Sequence, residues 1–139
     1  MYHVCARILN SEGSVLLLKR ADTHQGTWEM PGGATKEKEF LVDGLAREVR
    51  EETGLSCKPE DFIFFHTYFF DKDGKTEQKM CFTIVSDGPI VLSLEHDAFG
   101  WFTTKQMKKL TMWPKQKALL TVKLKNIEMR QLKSAEISW

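Results

Sequence analysis

Residues 33–55 read GATKEKEFLVDGLAREVREETGL, and this stretch decides the architecture. Leu41, Leu45 and Val49 recur every fourth position, with Val42 and Ala46 alongside. That period predicts a helix over residues 39–53 with one apolar stripe. Gly54 supplies the stop, since glycine takes the left-handed conformation that closes a helix. The segment Arg47-Glu48-Val49-Arg50-Glu51-Glu52 places Glu48 three residues before Glu51 and four before Glu52. All three carboxylates therefore project from one side of the helix. Like charges at this spacing destabilise a helix and raise one another's pKa, so they hold charge best around a cation. Oxygen ligands favour Mg²⁺ or Mn²⁺ over zinc. By themselves these residues fit a solvated acidic face paired with Arg47 and Arg50 better than a metal site.

Working outward, Pro31-Gly32-Gly33 forces a turn just before the helix, along a path that side chains with a Cβ would resist. That path can turn a carbonyl toward a metal. Trp28 to Met30 is a short extended run. Residues 3–9 and 14–20 are β-compatible and flank Asn10-Ser11-Glu12-Gly13, which suggests a hairpin. Residues 62–70 and 79–86 are aromatic- and β-rich, with Asp71, Asp73 and Gly74 between them, which suggests a second, longer hairpin. Phe99, Trp101 and Phe102 mark one more short strand. Residues 104–111 and 114–126 read as helices, with Pro114 suited to the first turn of the second.

The nine positions Gly33, Glu39, Arg47, Glu48, Val49, Glu51, Glu52, Gly54 and Leu55 match G-x5-E-x7-R-E-U-x-E-E-x-G-U, where U is aliphatic. This pattern resembles the Nudix box. Weaker likeness extends from Trp28-Glu29-Met30-Pro31-Gly32 to Glu95-His96 and Trp101. The resemblance implies an α/β/α sandwich with a central mixed sheet, as one domain over residues 1–139. It implies a magnesium-dependent hydrolase that cleaves a diphosphate linkage in a nucleoside di- or triphosphate or a related derivative, broadly like the MutT group. Carried over residue by residue, it implies Glu48 and Glu52 as metal ligands, then Glu51, with the Gly32 carbonyl as a further ligand. Arg47 would orient a box glutamate, and Glu39 would brace the loop against the helix. Gly33 would lie against the substrate. The base that removes the water proton would be Glu51, Glu52 or Glu95.

Glu95 lies in Leu94-Glu95-His96-Asp97, where several relatives carry a glutamate that serves as base or ligand. An ordinary loop carboxylate is the competing interpretation, and His96 fits a structural role. Arg20 ends the second strand and suits a phosphate clamp, because its planar fork matches such oxygens. Trp28, Phe69, Trp101 and Trp113 could stack on a base, although core packing accounts for any one of them. Between Lys105 and Lys133 a basic block is balanced only by Glu128. It fits a solvated helix face, or a patch that attracts phosphates.

The chain has 139 residues, 42% hydrophobic and 28% charged, which suits one domain with its own core. A net charge of +1 gives no whole-chain field toward nucleic acid or membrane. No basic stretch leads into an apolar run, and no apolar run approaches a membrane span. Cys5, Cys57 and Cys81 form no metal-ligand spacing and fit buried thiols in a reducing cytoplasm. The expected partner is thus a small nucleotide-type phosphoanhydride, in the cytoplasm, with a homodimer left open. Two rivals stand beside it. One is hydrolysis of an RNA 5′ end or a dinucleoside polyphosphate, and the other is a non-catalytic nucleotide-sensing module.

Overall fold

A computed structural model describes residues 2–123. Among these, seven strands form one mixed sheet. They are β1 (His3–Leu9), β2 (Val15–Arg20), β3 (Trp28–Glu29), β4 (Gly32–Ala34), β5 (Ile63–Lys72), β6 (Lys75–Val85) and β7 (His96–Phe102). The helices are α1 (Leu41–Thr53), α2 (Thr104–Met107) and α3 (Pro114–Ala118), the last continued by a π-helical turn over Leu119–Lys123.

The period of two in β1 and β2 assigns the layers. Val4, Ala6, Ile8, Leu16 and Leu18 face α1 and pack with Leu45, Val49, Phe82 and Ile84. Cys5, Val15 and Leu17 face the other side, with Phe65, Met107, Met112 and Leu119. Helices therefore cover both faces of the sheet, the expected sandwich. Leu45 and Val49 are fully buried, each contributing roughly 1.5–3 kcal/mol of transfer free energy. Gly54 closes α1 at φ 76°, its N–H donating to the Arg50 carbonyl.

The first hairpin departs from expectation. β1 and β2 meet at Leu9 and Val15 and then splay apart. The segment from Trp28 to Ala34 fills the gap, β3 pairing with β2 and β4 with β1. The Ala6 N–H donates to the Pro31 carbonyl at 2.9 Å, closing the seam. The outer edge of β2 takes β7, and the outer edge of β1 takes β6 in parallel. The long β5–β6 hairpin turns at Asp73 and Gly74 as expected.

The helix expected over residues 104–111 is only four residues long. A capping box at Thr103 and Gln106 starts it. The chain then leaves the helical path, because the Thr111 carbonyl accepts the Trp28 N–H and Met112 bridges to Trp28. The second expected helix begins at Pro114 as foreseen, and its part beyond Lys123 lies outside the described residues.

Candidate metal site and adjoining cavity

The inserted segment brings backbone against the carboxylate side of α1. A Cβ on Gly32 would sit 2.1 Å from the Val4 carbonyl oxygen, so only glycine fits opposite β1. A Cβ on Gly33 would sit 2.6–2.8 Å from the Glu48 carboxyl group, in the space that this carboxylate uses. The Gly32 N–H donates to Glu52 Oε1 at 2.8 Å. The sequence expectation concerned the Gly32 carbonyl; the N–H of the same residue is what steers Glu52.

Glu52 is buried, and burial is the main reason its carboxyl is pushed up to about 9. The Gly32 N–H works against that shift, whereas the charges of Glu48, Glu29 and Glu95 add to it. Burial also raises Glu48, against the bond from Arg47, and Glu51 and Glu95 add to the rise. Glu95 thus belongs electrostatically to the helix cluster despite its distance in sequence. A ring nitrogen of His96 and oxygens of Glu52 and Glu95 lie within 4.8 Å of one another. Mutually repelling carboxylates, two of them raised by burial and by their neighbours, are a donor set that a hard divalent cation would relieve.

Arg47 braces this cluster. Its Nε and Nη2 bond both Glu39 oxygens at 2.9 and 3.1 Å, and Nη2 also reaches the Ala34 carbonyl at 3.2 Å. Its Nη1 donates to Glu48 Oε1 at 3.0 Å and lies 3.4 Å from each Glu51 oxygen. Glu39, held chiefly by Arg47 and then by the Lys36 N–H, falls to about 2. Arg47 thus ties the loop residues Ala34 and Glu39 to the helix. Glu51 differs from its neighbours: it is exposed on the outer side of the cluster.

The second region is a cavity of about 650 Å³ bounded by His3, Glu29, Tyr68, Phe70, Trp113 and Gln116, among others. Arg20, expected as a phosphate clamp, reaches its wall with its donors engaged by the protein itself. Its donors go to Glu29 at 3.2 and 3.3 Å, to the Thr23 carbonyl at 2.8 Å and to Asp22 at 3.0 Å. Of the aromatic candidates only Trp113 lines this cavity; Trp28 packs edge-on against Phe102, Trp101 packs against the core, and Phe69 is exposed.

Glu29 was missed in the sequence as a site residue. Its carboxylate accepts from His96 Nε2 and from Trp113 Nε1, each at 2.8 Å. These partners lie 67 and 84 positions away, so no local spacing could reveal them. Gln116 is a further omission: buried, it takes the Met30 N–H at 3.0 Å and bonds the Tyr68 side chain. In the basic block, Lys115 and Lys117 cap the carbonyls of Phe69 and Leu110. The block from residue 124 onward lies outside the described residues.

A carboxylate-bearing helix faces a glycine-bearing strand on an α/β/α sandwich, and its acidic cluster could hold a metal ion. The chain belongs to the Nudix family: the family model of the NUDIX domain matches residues 1–122. Over 63 residues it is 40% identical to the human 8-oxo-dGDP phosphatase NUDT18, a stretch covering 45% of this chain and 20% of that protein. Over 63 residues it is 35% identical to the phosphatase NudJ of Escherichia coli K12, covering 45% and 41% respectively. The chain thus spans less than half the length of these curated relatives. Among solved structures, a MutT protein from Methanosarcina mazei Go1 superposes with a TM-score of 0.72 at 28% identity, covering 84% of this chain and 86% of that one. An Ap4A hydrolase of C. elegans superposes at 0.70 with 18% identity, covering 99% and 98%, a likeness of fold.

Proposed function

We propose that the chain hydrolyses a diphosphate linkage in a nucleoside di- or triphosphate or a related derivative, with Mg²⁺ as cofactor and Mn²⁺ as a substitute. The observation that carries this is the convergence of Glu48, Glu52 and Glu95 beside Gly32 and Gly33. Glu48, Glu52 and the Gly32 carbonyl would hold the ion, with Glu51 at the exposed margin. The ion supplies a lowered pKa for attacking water and neutralises phosphate oxygens. Glu95, exposed beside Glu52, takes the water proton. Arg47 and Glu39 keep Glu48 in place, and Gly33 leaves room for its carboxylate. The aromatic wall of Tyr68, Phe70 and Trp113 suits the flat face of a nucleobase. The intact set of carboxylates favours an enzyme over a nucleotide sensor. The relatives' names, an 8-oxo-dGDP phosphatase and a phosphatase, support a phosphate-ester or anhydride substrate. The free buried thiols Cys5 and Cys81 suit the cytoplasm, and no helix among the described residues is long and apolar enough to cross a membrane.

A panel of nucleoside di- and triphosphates and nucleoside diphosphate derivatives, assayed with Mg²⁺ for released phosphate or pyrophosphate, tests this proposal. Metal-dependent release from at least one nucleotide is expected; silence across the panel with both Mg²⁺ and Mn²⁺ would sink it. Millimolar Mg²⁺ should also raise the melting temperature, because an ion that binds only the folded chain stabilises it by mass action. That rise should vanish in Glu48→Gln and Glu52→Gln. A rise that survives in both variants would place the ion elsewhere.

Gly33→Ala should weaken Mg²⁺ by about tenfold, since the new methyl group takes the place of the Glu48 carboxylate. Titration of the melting temperature with Mg²⁺ measures it. An unchanged midpoint would show that Glu48 can hold the ion from another position.

A further inference from the structure

Glu29 stands where the cavity and the carboxylate cluster meet. Its side chain is 13% exposed. Oε1 accepts the Trp113 indole N–H at 2.8 Å, and Oε2 accepts His96 Nε2 at 2.8 Å. Arg20 Nη1 lies 3.3 and 3.2 Å from the two oxygens. A carboxylate offers about four acceptor positions, and these contacts occupy them. Burial alone would raise Glu29; the bonds from His96 and Trp113 and the Arg20 charge outweigh it and leave the carboxyl below its usual range. Glu29 is therefore an anion with nothing left to offer a base edge or a metal.

The His96 ring is held on one side by this anion, and its side chain is 1% exposed. Because the anion can only accept, Nε2 is the donor. Next to the ring lie the carboxylates of Glu52 and Glu95. The backbone of the loop is fixed separately, by the Ala21 N–H donating to the Glu95 carbonyl at 2.9 Å. That bond sets where the loop runs but leaves the Glu95 side chain free to rotate. Beside it stands the buried His96 ring, whose Nδ1 makes no hydrogen bond among the described residues, so the ring can restrict Glu95 only by its position.

We infer that Glu29 is a positioning residue, which fixes the His96 ring and through it sets the Glu95 carboxylate against Glu52. Trp113 and Arg20 anchor it from the cavity side. This rests on the assignment of Glu95 to the reaction.

The test is a double-mutant cycle on the full chain, with turnover measured at saturating Mg²⁺ for a nucleotide identified by the panel above. Glu29→Gln should lower kcat by about 10- to 100-fold, the usual cost of losing a supporting partner, with KM within about threefold. Combined with Glu95→Gln, it should cost no more than about twofold beyond Glu95→Gln alone, since the two act as a unit. Losses that multiply would show a general structural role and overturn the inference. So would a change confined to KM, which would make Glu29 a substrate contact. An unchanged rate in Glu95→Gln alone would remove the assignment of Glu95 first, and the inference with it. Should Glu29→Gln not fold, His96→Phe breaks the same link. It should show the same kcat loss, and His96→Gln, which keeps an N–H donor, should recover most of it. Equal rates in both His96 variants would overturn the inference.

Discussion

Glu95→Gln is expected to lower the maximal rate by about 100- to 10,000-fold, the range for removal of a general base. Substrate binding should change far less. Proton removal belongs to the transition state, whereas phosphate contacts already exist in the ground state. Three carboxylates could take the proton, and they differ in exposure and in partners. Glu52 is buried and accepts the Gly32 N–H, as befits a ligand. Glu51 lies on the outer margin beside Arg47. Glu95 is exposed yet meets Glu52 and His96 within 4.8 Å, so it can face both solvent and the proposed ion site. Single-turnover rates for Gln variants of all three, followed across pH, decide the matter. A Glu95→Gln enzyme with wild-type rate and pH profile would end this assignment and leave the helix ligands untouched.

Glu52→Gln should lose at least about 100-fold in turnover with saturating Mg²⁺, and should become more stable when metal-free. The second half follows from burial. The folded protein holds the Glu52 proton up to about 9, mainly because the group is buried, whereas an unfolded glutamate releases it near the ordinary value of about 4.3. Below that value both states are protonated and Glu52 is neutral in its effect. As pH rises through the window the unfolded chain alone loses its proton, so stability falls until the folded group ionises as well. Glutamine imitates the protonated acid, and its oxygen can still accept the Gly32 N–H. The melting temperature of the variant without metal should therefore exceed wild type by a few degrees at pH 8, with the gap narrowing toward pH 4–5. Added Mg²⁺ should reverse the order, since only the wild type binds it. A variant that melts lower than wild type at every pH without metal would mean that Glu52 is stabilising as it stands.

Much of this site is local in sequence and was legible there. The helix, its stop at Gly54 and the shared face of Glu48 and Glu52 follow from spacings of three and four residues. The turn residues Asp73 and Gly74 located the long hairpin for the same reason. The family pattern implied Arg47 as an orienter of a box glutamate and Glu39 as a brace for the loop, and their direct bond to each other emerges only from the fold. What stayed hidden depends on contacts between distant segments. The splaying of β1 from β2 is set by the intruding segment 28–34, and no residue of either strand announces it. Arg20 was judged by its chemistry, and only the fold reveals that Glu29, Asp22 and Thr23 had already taken its donors. Glu29 sits in a two-residue strand whose neighbours suggest core, and its partners lie beyond any local pattern. The shortened α2 reflects the demand of Trp28 for a carbonyl, which overrides helix propensity.

The parallel pairing of β1 with β6 also bears on how the protein comes into being. Cys5 stands opposite Cys81, 76 positions along the chain. A pairing of such long range makes loop closure costly and slows folding relative to chains built from local contacts. A growing polypeptide emerging from a ribosome would expose residues 33–55 entire, with every helix glutamate present, seconds before β6 and Glu95 follow at about 5–20 residues per second. Until then Gly32 has no finished sheet behind it and Glu52 has no buried seat. On the proposed function, metal capture would therefore be a late event in biogenesis, timed by the arrival of the second half of the sheet rather than by synthesis of the segment that carries the glutamates.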